Sequence, residues 1–298
     1  MSRLPTAARL ALLAIVSVIV AGCFDAPSAS VVASPTPAPE ATPVTTTYDL
    51  GASVWYEGLV VHLDRAVAIL DDRGGPVIVD VRVDNPSVDP SELAATIYLV
   101  VGEQRVEPTR DSELQPIAEG GSVEGRMTYE LQGVTSVDAA AIEIGDAPSH
   151  IGRVPLTTAG GEPVSLEPRT FDLDAAGAVG DLKVTLRSGL VRWDLPDWAE
   201  ELDADKQVVI LTYDATFIGS FTGGFAFTDE NVALRLPDGT EVGPRPDGHS
   251  QSVELIGAGR TKSDLFTRFE IPAGVTGDVE FLVIDEGTSK AIPLAIPG

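Results

Sequence analysis

From Tyr48 onward, apolar and polar residues alternate in short runs. Leu59, Val61 and Leu63 alternate with Val60, His62 and Asp64, and Val77, Val79, Val81 and Val83 with Ile78, Asp80, Arg82 and Asp84. A period of two with β-branched side chains predicts strands with one buried face. Turn-forming clusters such as Asp72-Arg73-Gly74-Gly75-Pro76 and Asn85-Pro86 separate the runs. After residue 23 no stretch carries a helical period of comparable strength, so the expected class is all-β and antiparallel. Asp238-Gly239 between two apolar runs predicts a hairpin.

The pattern occurs twice. Tyr48-Asp49-Leu50 matches Phe171-Asp172-Leu173, and Leu59, Val61 and Leu63 match Leu182, Val184 and Leu186, all at an offset of 123. Leu99 then corresponds to Leu234, Glu130-Leu131 to Glu270-Ile271, and Val154-Pro155-Leu156 to Ile292-Pro293-Leu294, so the second copy carries insertions. Repeats of this length can each bury a core. With about seven short strands per copy, the expectation is two tandem immunoglobulin-like sandwiches, residues 48–160 and 161–298, joined by a linker over 157–163. No disulfide joins the sheets, because the chain holds a single cysteine.

The N-terminus reads differently. Arg3 and Arg9 form a short basic region before an eleven-residue apolar run, Leu10–Val20. That is too short to span a bilayer and right for a secretory signal. It closes in Val20-Ala21-Gly22-Cys23, which resembles the lipobox of bacterial lipoproteins. The resemblance implies a signal peptide over 1–22, cleavage before Cys23 and a diacylglyceryl group on its thiol. Two acyl chains, at about 0.8 kcal/mol per buried methylene, would anchor the protein stably. The alternative is a plain secretion signal with an incidental cysteine. Residues 23–47 hold Pro27, Pro35, Pro37, Pro39 and Pro43 among Ser, Thr, Ala and Val, a composition expected of a disordered or semi-stiff stalk.

A lipobox, a Pro/Thr stalk and such sandwiches together resemble the Gram-positive lipoproteins that carry immunoprotein-like domains of unknown function. The resemblance covers residues 48–298 and rests on features repeated in each unit. A Gly-rich entry leads to an aliphatic strand (Gly58-Leu59-Val60-Val61; Gly180-Asp181-Leu182). A long strand ends in a polar turn (Val77–Asn85; Gln207–Thr216). A Gly-rich turn precedes an aromatic strand (Glu119-Gly120-Gly121 to Tyr129; Gly257-Ala258-Gly259 to Phe269), and the last strand ends in an aliphatic-Pro-Leu step. The second unit departs from the pattern between Trp193 and Glu230. The resemblance implies a fold and an extracytoplasmic, lipid-anchored address at the cell membrane, and no reaction.

Charge narrows the partners. The chain has 20 basic and 45 acidic residues, a net charge of −25, and loss of Arg3 and Arg9 with the signal would deepen it to −27. Nucleic acid is therefore not an expected partner. Acidity also repels anionic lipid, so the acyl chains must hold the protein at the membrane. His62, His150 and His249 share no ligand spacing. No nucleophile elbow, P-loop or dinucleotide fingerprint is present. No cofactor, no metal and no enzymatic activity are expected, although carboxylates are too numerous for counting alone to exclude a hydrolytic pair.

Two segments of the second unit stand out. Six acids lie between Asp194 and Asp205. Asp194 could cap a short helix with Pro196 in its first turn and Trp198 and Leu202 on one face. This segment reads either as a solvated helix laid over the sandwich edge or as a Ca²⁺ or acidic-ligand site. Four of the nine phenylalanines lie in Phe217–Phe227 among three glycines. With Trp193 and Trp198, Phe221 and Phe225 are candidates for an aromatic ligand-binding face; the alternative is a satellite core. The expected role is a non-enzymatic surface lipoprotein acting as an interaction or spacer module, with the membrane and an envelope protein or glycan as partners. The alternative is a small-solute or glycan carrier.

Overall fold

The computed structural model describes residues 42–110, 112, 114–245 and 253–298; Cys23, the signal segment, most of the expected stalk and His249 lie outside them. Strand formation begins inside the segment expected as stalk, at Val44. In the first half the strands are β1 (Val44–Tyr56), β2 (Leu59–Leu70), β3 (Gly74–Asp84), β4 (Ile97–Val101), β5 (Gln104–Val106), β6 (Ser122–Gln132), β7 (Ala141–Ile144) and β8 (Gly152–Pro155). They make two four-stranded sheets of order β1-β2-β3-β6 and β5-β4-β7-β8, with every pairing antiparallel.

The second half runs β9 (Arg169–Val179), β10 (Leu182–Arg192), β11 (Asp194–Leu195), β12 (Glu200–Glu201), β13 (Lys206–Phe217), β14 (Phe225–Phe227), β15 (Val232–Arg235), β16 (Glu241–Val242), β17 (Glu254–Ile256), β18 (Thr261–Pro272), β19 (Gly277–Asp285) and β20 (Thr288–Ile296). Its two large sheets, β9-β10-β13-β18 and β16-β15-β19-β20, repeat the order of the first half, with β11-β12 and β14-β17 as added two-stranded ribbons. Each half is thus an antiparallel β-sandwich. If the first strand of each half is set aside, the order is that of an immunoglobulin-type Greek key, with an extra N-terminal strand closing one edge. Among the described residues the only helical elements are three short 3-10 turns.

The repeat extends to an irregularity. The β1–β2 ladder slips between Asp49 and Ala52, and the β9–β10 ladder between Asp172 and Ala175, again 123 residues apart. A bulge at matching positions bends both hairpins alike. The alternating pattern then sets the cores. Leu63, Val79, Tyr129 and Ile142 belong to one buried cluster, and Leu186, Tyr213, Phe269 and Phe281 to another. Burying each such side chain contributes roughly 1.5–3 kcal/mol. The two central tyrosines keep their hydroxyls satisfied: Tyr129 Oη donates to the Ile97 carbonyl at 2.9 Å, and Tyr213 Oη lies 2.7 Å from Thr267 Oγ1.

Candidate functional site

The β1–β2 hairpin closes through Glu57-Gly58, with φ of 51° and 82°. Positive φ at both central residues is the type I′ turn that suits a twisted two-residue hairpin. Its two consecutive N–H groups face the second sandwich. Gly58 N donates to Asp194 Oδ2 at 2.6 Å, and Glu57 N to Glu201 Oε2 at 3.2 Å. Asp194 and Glu201 are themselves directly opposite across the β11–β12 ribbon, so one hairpin presents two acceptors to the two donors of another.

The acidic segment is therefore a brace between the sandwiches. The helix expected over it does not form. Asp194 caps nothing; it lies in β11, and the single 3-10 turn over Pro196–Trp198 is preceded by Leu195 with no side-chain cap. Leu195, Leu202 and Val208 form a small apolar cluster beneath the ribbon, and burying them outweighs the weak helical preference of the acids. Further backbone bonds fix the same junction: Trp55 N to Ser165 O at 2.8 Å, His150 N to Leu202 O at 3.1 Å and Ala204 N to Pro148 O at 2.8 Å. Pro196 sits directly over Gly58, where a Cβ would fall 2.7 Å from the proline Cβ.

The charges of the brace are unequal. Asp194, 4% exposed, is gripped by Arg192 through both oxygens, at 2.7 and 3.0 Å. Among the described residues Glu201 forms no ion pair. Burial pushes its carboxyl up to about 9, and the neighbouring Asp194 and Glu57 push in the same direction, so it is a neutral acid at pH 7. Glu57 is also raised, by burial first, although the Ala94 amide donates to it at 3.1 Å. Three of the remaining four acids of the segment are paired singly: Asp197 with Arg268 at 2.5 Å, Glu200 with Arg245 at 3.2 Å and Asp203 with Lys206 at 3.9 Å. They do not converge, and among the described residues no group of three or more His, Cys, Asp or Glu is placed to hold a metal ion.

Two hollows flank the brace. One, of about 290 Å³, is bounded by Tyr56, Glu57, Asp146, Ser149 and Glu201. The other is a groove of about 590 Å³ between the 85–91 loop of the first sandwich and the Pro196–Ala199 turn of the second, with Trp55 and Trp198 in its walls.

The four aromatic candidates do not share a surface. Trp198, 37% exposed, lines this groove with the Arg268 guanidinium 5.0 Å from its ring. Trp193 lines a different hollow beside Arg169 and His150. Phe225 packs on Phe217 at 5.8 Å, and Phe221 stands 67% exposed on the preceding turn. Phe217 ends β13, whereas the brace joins its start at Lys206, and roughly 35 Å of extended chain separates those points.

A third constellation was not legible from histidine spacing. Ser53 Oγ lies 2.8 Å from His62 Nδ1, and His62 Nε2 lies 2.8 Å from Asp84 Oδ2. Cross-strand register creates this array: Ser53 is opposite His62 in the β1–β2 ladder, and Asp84 lies diagonally on β3. A hydroxyl, an imidazole and a carboxylate in that order are the groups of a catalytic triad, in which the imidazole takes the hydroxyl proton and the carboxylate orients the ring. An acyl-transfer site also needs donors aimed at a developing oxyanion and a cleft that holds substrate. These three side chains stand on the outer face of a sheet, none of them lines either junction hollow, and Asp84 is also paired with Arg82 at 3.3 Å. The cross-strand signal that could have revealed them is the pairing of residues 53 and 62 about a turn at 57–58.

No protein-family model matches the chain. No curated protein matches it either.

Proposed function

We propose that this chain is a non-enzymatic surface lipoprotein, anchored through acyl chains on Cys23, whose braced pair of sandwiches serves as an interaction module outside the cytosol. The observation that carries this reading is the brace itself. Residues 193–205 interrupt the β10–β13 connection of the second sandwich and are spent on the turn of the first. Such a device makes sense where two sandwiches must present one continuous, preorganised surface. The groove built from both halves is that surface. The stalk joins at Val44, twelve residues along β1 from Tyr56, which sets the junction roughly 40 Å away from the point of attachment. The solute-carrier alternative relied on a shared aromatic face and loses support from the dispersal of those four residues.

The test is photo-crosslinking in intact cells. A photoreactive residue at Val88, which is 75% exposed on the groove rim, is expected to capture a discrete envelope partner, and one at Asp278 on β19 is not. Equal capture from both positions, or none from either, would overturn the module reading. The anchor has its own test: Cys23→Ser should abolish palmitate incorporation and release the protein from the membrane fraction.

A further inference from the structure

We propose that the hollow lined by Trp193, at the linker between the sandwiches, is a carboxylate site. Arg169 receives the carboxylate of a small organic acid or of a peptide's C-terminus, and the ligand's apolar body lies against the walls. The inference goes beyond the interaction-module reading and does not depend on it.

The site starts from a charge in an apolar position. Along β9, residues 169, 171 and 173 are the less exposed ones, and Phe171 and Leu173 pack on the second core. Alternation therefore turns Arg169 toward the inner face, at the start of the strand. Most described arginines are matched with a carboxylate, as Arg192 is with Asp194 and Arg153 with Glu143. Among the described residues Arg169 has no such match, in a chain that holds 45 acids. Its Nε is buried with no hydrogen-bond partner. A buried donor left unpaired is costly, and it marks a place for a water or an ion.

The guanidinium is held in position. Its carbon lies over the Trp193 ring, 5.0 Å from the centroid. A cation–π contact orients the group and leaves its N–H fork unspent, and that fork matches a carboxylate through two parallel bonds. His150 meets the same indole edge-on, with centroids 6.5 Å apart and planes at 77°. The His150 ring is itself fixed, because Nε2 donates to the Lys206 carbonyl at 2.6 Å. His150 comes from the first sandwich and Arg169 and Trp193 from the second, so the junction builds the site as it forms.

The walls select the ligand. The hollow measures about 710 Å³, within the roughly 300–1,000 Å³ typical of ligand sites. Val164, Pro168, Trp193 and Pro297 give it apolar surface, with Val164 40% exposed. Glu167 is the one acid among the lining residues and Arg169 the one arginine. A single guanidinium offers a single charge, and Glu167 together with a net charge of −25 repels a dianion. A monoanion on an apolar body fits these conditions, and a phosphate ester does not.

The experiment uses the full-length chain in detergent micelles. The probes are phenylpropionate and the free acid of acetyl-Leu-Phe. The comparators are phenylpropanol, the amide of acetyl-Leu-Phe and phenyl phosphate. Both acids are expected to shift the indole N–H resonance of Trp193 and to leave that of Trp198 in place. Arg169→Gln is expected to weaken binding at least about tenfold, the size of lost hydrogen bonds to a charged group. Arg169→Lys keeps the charge without the fork and is expected to fall between, which decides the matter if the Gln variant fails to fold. Trp198→Ala is expected to change nothing. Tighter binding of phenylpropionate supports the site with a small acid as its ligand, and tighter binding of the peptide acid supports it with a chain terminus. Acids that leave the Trp193 resonance unmoved overturn the proposal, as does wild-type affinity in both Arg169 variants. So does equal binding of the alcohol, the amide or phenyl phosphate. None of these outcomes bears on capture at position 88, which tests the module reading by itself.

Discussion

Glu201 is the residue with the most to lose from a change of pH. Its carboxyl is neutral in the folded chain up to about 9, because burial and two neighbouring carboxylates disfavour its charge, and it ionises in the ordinary carboxylate range once unfolded. The folded state therefore holds a proton that the unfolded state has released across that interval. This contribution is fully present below the ordinary carboxylate pKa and declines as pH rises toward 9. Glu201→Gln should flatten that decline and raise the melting temperature at pH 8, as followed by circular dichroism across a pH series. A variant whose melting curve keeps the wild-type pH slope would refute the assignment. Asp194 is the opposite case, a buried carboxylate gripped by the half-buried Arg192 guanidinium. Asp194→Ala strands both Arg192 and the Gly58 N–H and should cost about 3–5 kcal/mol in urea unfolding, the usual result of removing one member of a buried pair. Neither role was legible in the sequence. Six acids within twelve residues look alike until packing decides which two lose their water.

At the scale of elements, the alternating pattern was enough to place the strands. Val77, Val79, Val81 and Val83 all face the core, as do Leu182, Val184 and Leu186. A period of two allows only one choice of buried face. The pattern said less about the insertion. A short acidic run with two tryptophans carries the spacing of a helix, but at this length helical propensity is worth little against pairing and burial. The β11–β12 ribbon forms because Leu195 and Leu202 find an apolar floor at Val208. The β1–β2 turn offers a direct check. Gly58→Ala places a methyl group against Pro196 at a residue with φ of 82°, and should lower stability by at least about 1 kcal/mol, from loss of the glycine conformation alone. Gly102→Ala, also at positive φ but with open space around it, separates the two effects. If both substitutions cost the same in urea titrations, Pro196 does not press on the turn.

On the scale of the whole molecule, two separate apolar clusters are joined through a polar junction. Each cluster could melt alone, and the bonds from Asp194, Glu201 and the 148–150 backbone are what tie them. Calorimetry of the wild type should show one cooperative transition, and Asp194→Ala should resolve it into two as coupling falls. Two transitions in the wild type would mean that the brace contributes little.

The sequence by itself determined the strand class, the repeat and its offset, the buried face of the alternating strands, and the acidic balance. These follow from periods and counts, which are local or additive properties of the chain. Only the tertiary structure decided which acids are buried, that an expected helix is a brace, that Trp198 lines one groove with Trp55 while Trp193 lines another hollow, and that Ser53, His62 and Asp84 stand in line. The reason is distance along the chain. Asp194 and Gly58 are 136 residues apart and share no pattern. Their contact exists because two sandwiches, each legible alone, close on one another at a turn that leaves two N–H groups to be satisfied.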